Sequence, residues 1–330
     1  MRMLVLGGTV FLGHAVAAEA VRRGHDVYCA ARGSSGALPD GAALIPVDRE
    51  HGLGALAAER FDGVVDVARN YRWVRDALDA LGTTAGHWSF VSTINVYADN
   101  ETTGQSTDGR LLDPITDSED VSTPESYGGI KVACEDAVRA ALGDRAFVLR
   151  PGLISGPNDI SDRFGYWPTR ISRGGRVLVP DAPDQPTQHT DVRDLAEWIV
   201  TAAERGTTGT FDGSGPTTAL GPLLEEIAEL VAPPGTELVA VAPEALTEAA
   251  VQPWSGPKSL PLWLPESHHG LVSHDAAPAL DAGLRIRPLA ETVSATLATE
   301  RELGLDRERR AGLNPAEEAE LLAALDQRVW

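Results

Sequence analysis

The stretch LVLGGTVFLGHAV, residues 4 to 16, constrains this chain more than any other. A short apolar run enters the glycines Gly7, Gly8 and Gly13 and continues with helical apolar spacing, the pattern of a strand turning sharply into a helix. Such a turn lets backbone amides approach a pyrophosphate at the positive end of the helix. Val10 stands where the usual dinucleotide fingerprint has its middle glycine. A β-branched residue avoids positive φ and carries bulk toward whatever the turn faces, so Val10 is the first test of whether a nucleotide fits.

The remainder of the first half repeats the alternation. RMLVLG, DVYCAAR, AALIPV, GVVDVA, HWSFVS and AFVLRP read as short apolar strands, while residues 11 to 23 and SYGGIKVACEDAVRAAL read as helices. Strands with no polar alternation, separated by helices, predict an α/β fold: a Rossmann-type doubly wound parallel sheet covered on both faces. Past Pro151, glycine and proline are spaced through PGLISGPNDISDRFGYWP and PWSGPKSLPLWLP, so the chain is expected to leave the sheet and return. The division expected is a dinucleotide-binding domain over residues 1–152 and 186–213, with a smaller discontinuous substrate lobe and C-terminal helices over 153–185 and 214–330. Asn314 followed by Pro315 is a helix start for the tail, and Asp194 is expected to cap the helix of DVRDLAEW or bond the loop beside it.

Charge and cysteine content remove several classes of partner. The 48 acidic against 28 basic residues leave a net charge of -20, which gives no footprint for nucleic acid or an anionic membrane. No run is long and apolar enough to cross a bilayer and no leader precedes the first strand, so the expected location is the cytoplasm. Cys29 and Cys134 have no metal-ligand spacing and read as reduced core thiols. His268, His269 and His274 with Asp275 lack further ligands, so a solvated loop is expected there and no metal.

The residues expected to carry chemistry lie in STPESYGGIKVACE. Tyr127 and Lys131 are four apart on a helix and project from one face. A neighbouring ammonium favours phenolate and would lower the tyrosine pKa toward a value useful near neutrality. Ser92 and Thr93 end the preceding strand, so three groups from distant segments converge where ligands bind in such sheets. At the end of the second strand stands Arg32, followed by Ser34, where an arginine accepts the 2′-phosphate of NADP and an acid would mark NAD. NADP(H) is therefore preferred, with NAD(H) open, and Asp48 after the third strand is a candidate for the adenine amino group.

Taken in order, the glycine turn, VSTINVY, YGGIK followed by CE, LRPGLISGP and HTDVRDLAEWIV resemble the extended short-chain dehydrogenase/reductase family, also called the NAD-dependent epimerase/dehydratase family. The resemblance runs over roughly residues 1 to 215. It implies Tyr127 as general acid/base, Lys131 on the nicotinamide ribose, and Thr93 bonding the reacting oxygen, with Ser92 as the fallback. It further implies a cofactor lined by Gly7, Thr9, Val10, Phe11, Leu12 and Gly13, by Val67, Ala68 and Arg69, and by Pro151, Gly152 and Ile154. Dehydratases of the family carry an Asp-Glu pair after the threonine, where this chain has Ile94 and Asn95. Its sugar-nucleotide epimerases show an Asn-x-x-Gly-Thr stretch where this chain has YRWVRDALDALG.

The expected activity is accordingly that of an NAD(P)-dependent reductase acting on a carbonyl or related group of a small metabolite. The alternative is an NAD-dependent epimerase of a sugar or nucleotide sugar, and behind it a cofactor-binding protein without turnover. Substrate contacts are expected from Asn95, Tyr71, Trp167 and His189. Beyond Arg69 and Arg163 few cations converge on the expected mouth, which favours a weakly charged or neutral substrate. Members of the family often pair through helices including the one that bears Tyr127, so a homodimer is open.

Overall fold

The computed structural model describes residues 1–327, which form two compact units. The first comprises Met1–Leu153, Thr190–Gly215 and His274–Ile286. Its strands are β1 (Arg2–Leu6), β2 (Asp26–Ala31), β3 (Ala43–Pro46), β4 (Gly63–Asp66), β5 (His87–Val91), β6 (Ala146–Pro151) and a last strand, Gly209–Gly213. They lie in the order last strand, β6, β5, β4, β1, β2, β3, and every neighbouring pair is parallel. This is a Rossmann-type α/β sheet. Residues of β4, β5 and β6 are buried throughout, which is why those segments show no polar alternation. The strand order reverses between β1 and β4, and the crevice at such a reversal, beyond the carboxyl ends of the strands, is where ligands bind in these sheets.

Helices α1 (Phe11–Arg22), α2 (Tyr71–Leu81) and α3 (Pro124–Leu142) belong to this unit. Local chemistry sets where α3 begins. Thr123 caps it, Ser126 returns a bond to the Thr123 amide, and Pro124 occupies a first-turn position where no amide donor is needed. The helix Val192–Arg205 is capped by Asp191, whose Oδ1 accepts from the Arg193 amide at 2.8 Å, so the cap is Asp191 and not Asp194. Its Trp198 packs edge-on against Phe147, ring centroids 5.0 Å apart, and donates Nε1–H to the Ala282 carbonyl at 3.1 Å. That bond, with His274 Nδ1 3.2 Å from Asp212 Oδ2, holds residues 274–286 in the first unit, although the sequence had assigned them to the substrate lobe.

The second unit comprises Ile154–His189, Pro216–Ser273 and the chain from Arg287. It contains a parallel strand pair, Arg176–Pro180 with Glu237–Val241, and the helices Arg163–Ile171, Leu220–Val231, Leu289–Leu303 and Pro315–Gln327. Asn314 does cap the terminal helix, accepting from the Ala316 and Glu317 amides at 3.0 Å each. The final three residues of the lobe as expected, 328–330, lie outside the described residues. Asp162 and Glu300 are buried beneath Arg307 and Arg309, and Arg170 pairs with Glu318. Buried carboxylates are tolerated there because each meets a guanidinium.

Candidate active site

The glycine turn is built differently from the fingerprint's usual form. Positive φ falls on Gly7 (100°) and Phe11 (41°), while Val10 is extended at φ -137° and ψ 136°. A β-branched residue is at ease in that conformation, so replacing the middle glycine costs no backbone strain at position 10. The strain moves instead to Phe11, the first helical residue. Gly13 is needed for closeness: a Cβ there would sit 2.3 Å from the Gly7 carbonyl oxygen. Val10, the residue before α1, provides no side-chain cap, leaving the first-turn amides to take an anion. Val10 itself is 37% exposed.

Thr9 and Leu12 are buried, and the loop after β2 closes against this turn, since a Cβ on Gly36 would stand 2.2 Å from the Thr9 carbonyl oxygen. Arg32 and Ser34 are exposed in that loop, and Arg32 has no ion pair among the described residues. Asp48 serves locally as the cap of the short helix Arg49–His51, accepting from the Glu50 amide at 3.1 Å. The residues beside the turn fit a dinucleotide: a cradle no Cβ could share, uncapped helix amides, and an exposed cation at the second strand's end.

At the far end of β4, Asp66 is fully buried and paired with Arg49, Nη1 to Oδ1 at 2.9 Å, while its Oδ1 also accepts from the Ala68 amide at 3.0 Å. This fixes the Val67–Arg69 turn. Lys131 reaches that turn from α3, donating to the Ala68 carbonyl at 2.7 Å and to the Val91 carbonyl at 2.5 Å, with its Nζ 4.5 Å from the centre of the Phe90 ring. Burial without a dedicated carboxylate pushes its pKa down to about 8, although Cys134, Asp66 and Glu135 oppose the shift.

Tyr127 lies one helical turn before Lys131. Burial raises its pKa, while the guanidinium of Arg69, 5.9 Å above its ring, and the hydroxyl of Thr93 act in the lowering direction. The ammonium of Lys131 is meanwhile turned onto two backbone carbonyls. The helix that bears Tyr127 packs on the turn that bears Thr93, though no hydrogen bond joins these two described residues. Their approach depends on Gly128, where a Cβ would lie 2.0 Å from the Asn95 carbonyl oxygen, so α3 can press onto the Thr93–Asn95 turn only if position 128 has no side chain. Thr93 Oγ1 accepts from the Asn95 amide at 3.2 Å, leaving its hydroxyl proton for another partner.

Ser92 is bound elsewhere. Its hydroxyl donates to Glu135 Oε1 at 2.5 Å, and Glu135 takes two further bonds from Arg150, at 2.9 and 2.7 Å, and one from Arg139 at 2.6 Å. Arg150 continues through the Tyr97 hydroxyl at 2.8 Å to Asp212 at 2.7 Å and His274. Apart from Arg139, one turn from Glu135, the bonded members of this chain are 15 to 115 positions apart, beyond the reach of local spacing. A glutamate on a buried helix face and an arginine inside an apolar strand were the available signals.

Of the expected substrate contacts, Asn95 and Tyr71 belong to the first unit with Thr93 and Tyr127, and the Tyr71 hydroxyl accepts from Arg75 at 3.1 Å. Pro151 and Gly152 close β6 in the same unit, whereas Ile154, Trp167 and His189 belong to the second. Trp167 has no exposed surface and donates Nε1–H to the Pro261 carbonyl at 2.8 Å, so its indole packs within that unit. His189 is half-buried, with Nδ1 2.9 Å from Ser155 Oγ and its ring against Phe164.

The sequence matches the NAD dependent epimerase/dehydratase family over residues 3–211. The chain belongs to that family. No curated protein matches it in sequence. Among solved structures it is similar to the Bordetella bronchiseptica enzyme WbmH in complex with NAD+, at 19% identity and TM-score 0.66, covering 92% of this chain and 99% of that one. It is likewise similar to UDP-N-acetylglucosamine 4-epimerase from Bacillus cereus, at 16% identity, TM-score 0.66 and coverage of 94% and 100%. A third is UDP-glucose 4-epimerase from Thermus thermophilus in complex with NAD, at 15% identity, TM-score 0.61 and coverage of 91% and 99%. At these identities the likeness is one of fold. Among the described residues of this family member, no helix is long and apolar enough to cross a membrane.

Proposed function

We propose that the chain is a nicotinamide-dependent enzyme that oxidises or reduces a carbon bearing a hydroxyl or carbonyl group on a small molecule. The observation that carries the reading is the close seat of α3, which bears Tyr127 and, one turn on, the buried Lys131, against the turn that bears Thr93: Gly128 of the helix meets the Asn95 carbonyl of that turn. Bound nicotinamide would supply hydride acceptance and donation. The glycine turn and the uncapped amides of α1 would hold its pyrophosphate, with Arg32 and Ser34 placed for the 2′-phosphate of NADP. Lys131 uses two of its three N–H bonds on the Ala68 and Val91 carbonyls, so it fixes the wall of the site and keeps one donor for a ribose hydroxyl. Thr93 orients the substrate oxygen, and Tyr127 moves a proton at its own Oη to or from that oxygen.

Two directions of turnover fit these groups. Family membership and the sugar-nucleotide epimerases of like fold favour epimerisation, in which one centre is oxidised and reduced again from its other face. The second reading, net reduction of a carbonyl, draws on Arg32 and on the missing Asn-x-x-Gly-Thr stretch. Turnover of candidate hydroxyl compounds, followed by product chirality and by nicotinamide absorbance, separates them: an epimerase inverts a centre without net absorbance change, and a reductase consumes reduced cofactor in proportion to product. Tyr127→Phe is expected to lower either rate by roughly 10²–10⁴-fold, the usual contribution of a positioned acid/base. A variant with wild-type kcat would remove Tyr127 from the chemistry.

A further inference from the structure

In the second unit, Arg163 is drawn in from solvent without the ion pair that Arg170 and Arg307 have. Arg163 opens the helix Arg163–Ile171, and its Nε donates to Ser161 Oγ at 3.1 Å. Ser161 is in turn tied to Asp159, amide to Oδ1 at 2.8 Å and hydroxyl to Oδ2 at 2.9 Å. The guanidinium carbon lies 5.0 Å from the centre of the Trp254 ring. Among the described residues no carboxylate comes within ion-pair distance of Arg163, and its two terminal nitrogens take part in no hydrogen bond. The contrast with Arg150 on Glu135 or Arg307 on Asp162 is direct.

A guanidinium in that position is costly unless something compensates it. Burial lowers the Arg163 pKa, with the charge of Asp159 acting the other way, and burial raises the pKa of Asp159 itself. The carboxylate that acts on it, Asp159, is spent on Ser161 and weakened as a counter-charge. Trp254 is also held at a cost to the backbone: its φ is 66°, in the left-handed region a tryptophan rarely adopts, and its amide donates to the Trp263 carbonyl at 2.9 Å. The indole therefore sits over the guanidinium by construction of the Gln252–Trp254 strand.

We propose that Arg163 and Trp254 form a recognition site for the carboxylate group of a small-molecule ligand. The site is built from the second unit alone and goes beyond the turnover assigned above to Thr93 and Tyr127. With Nε used by Ser161, the two terminal nitrogens remain as a planar fork, which matches the two oxygens of a carboxylate in one plane. The indole covers one face and directs the ligand to that edge. One unbalanced positive charge suits a monoanion, whereas a phosphate dianion draws on several donors.

The test is equilibrium binding by ligand-observed NMR with the full chain and no nicotinamide, using benzoate and lactate as probes against benzamide, lactamide and phenyl phosphate. Both acids should saturate, the amides should not, and Arg163→Gln should weaken the acids at least about tenfold, the loss expected of one charge-assisted pair. Trp254→Leu should weaken them as well, and it stands as the second variant if Arg163→Gln does not fold. Equal binding of acids and amides, acid binding unchanged in Arg163→Gln, tighter binding of phenyl phosphate than of benzoate, or no saturation by either acid would overturn the proposal. Because the readout involves no turnover, failure of the Tyr127 mechanism would leave these results untouched.

Discussion

Lys131 and Glu135 stand one turn apart on α3, both buried, and their surroundings differ completely. Glu135 is saturated: Arg150, Arg139 and Ser92 supply four bonds, and although burial opposes it, these partners hold its carboxyl below the usual range. Lys131 has only backbone carbonyls, and the nearest carboxylates, Asp66 and Glu135, are already committed to arginines. A charge that is fully answered holds elements together and is finished chemically. A charge answered only by dipoles is costly to the fold and remains available to a ligand, as at many functional sites. Arg163 repeats the second pattern in the other unit.

The comparison can be broken most severely at Glu135. Glu135→Gln removes the counter-charge of a buried guanidinium and is expected to destabilise the protein by about 3–5 kcal/mol, measured by urea unfolding. A loss under about 1 kcal/mol would show that the pair contributes little, contrary to the reading above.

Lys131 should behave in the opposite sense. The unfolded lysine keeps its proton up to about 10.5, the folded one up to about 8, so between these values the unfolded state holds more protons and stability rises with pH. Below 8 the whole penalty is present, roughly 3 kcal/mol for a shift of this size. Lys131→Met should therefore gain stability at pH 7 and lose the rise between pH 8 and 10.5, while losing activity. An unchanged pH profile of unfolding would contradict this.

Arg32 marks the small end of the scale, being exposed and unpaired at no cost. Arg32→Asp should leave stability within about 0.5 kcal/mol yet shift the NADPH to NADH affinity ratio by roughly tenfold toward NADH, as loss of one phosphate contact predicts. Titration of both nucleotides against both proteins checks it, and an unmoved ratio would detach Arg32 from cofactor choice.

What could be read from the sequence was whatever local spacing encodes. The glycine turn, the parallel sheet from unbroken apolar runs, and the Tyr127–Lys131 spacing all follow from contacts within a few residues or from a repeating period. Val10 misled in one respect, because a substitution at the middle glycine says nothing about which residue carries the positive φ, and Phe11 absorbs it. The Glu135–Arg150–Tyr97–Asp212 bonds and the Arg163–Trp254 stack join residues far apart in sequence, and no period predicts them. Residues 274–286 join the first unit for the same reason: their loop texture resembles the second lobe, and the partners of Trp198 and Asp212 place them.

The tight seat of Gly128 against Asn95 makes a missing methyl group into a ruler. Alanine at that point would pry the helix off the turn by an ångström or more, and the phenol and alcohol would part together with it. Other side chains around Thr93 and Tyr127 can vary, but how closely helix and turn approach is fixed by an atom the chain does not have.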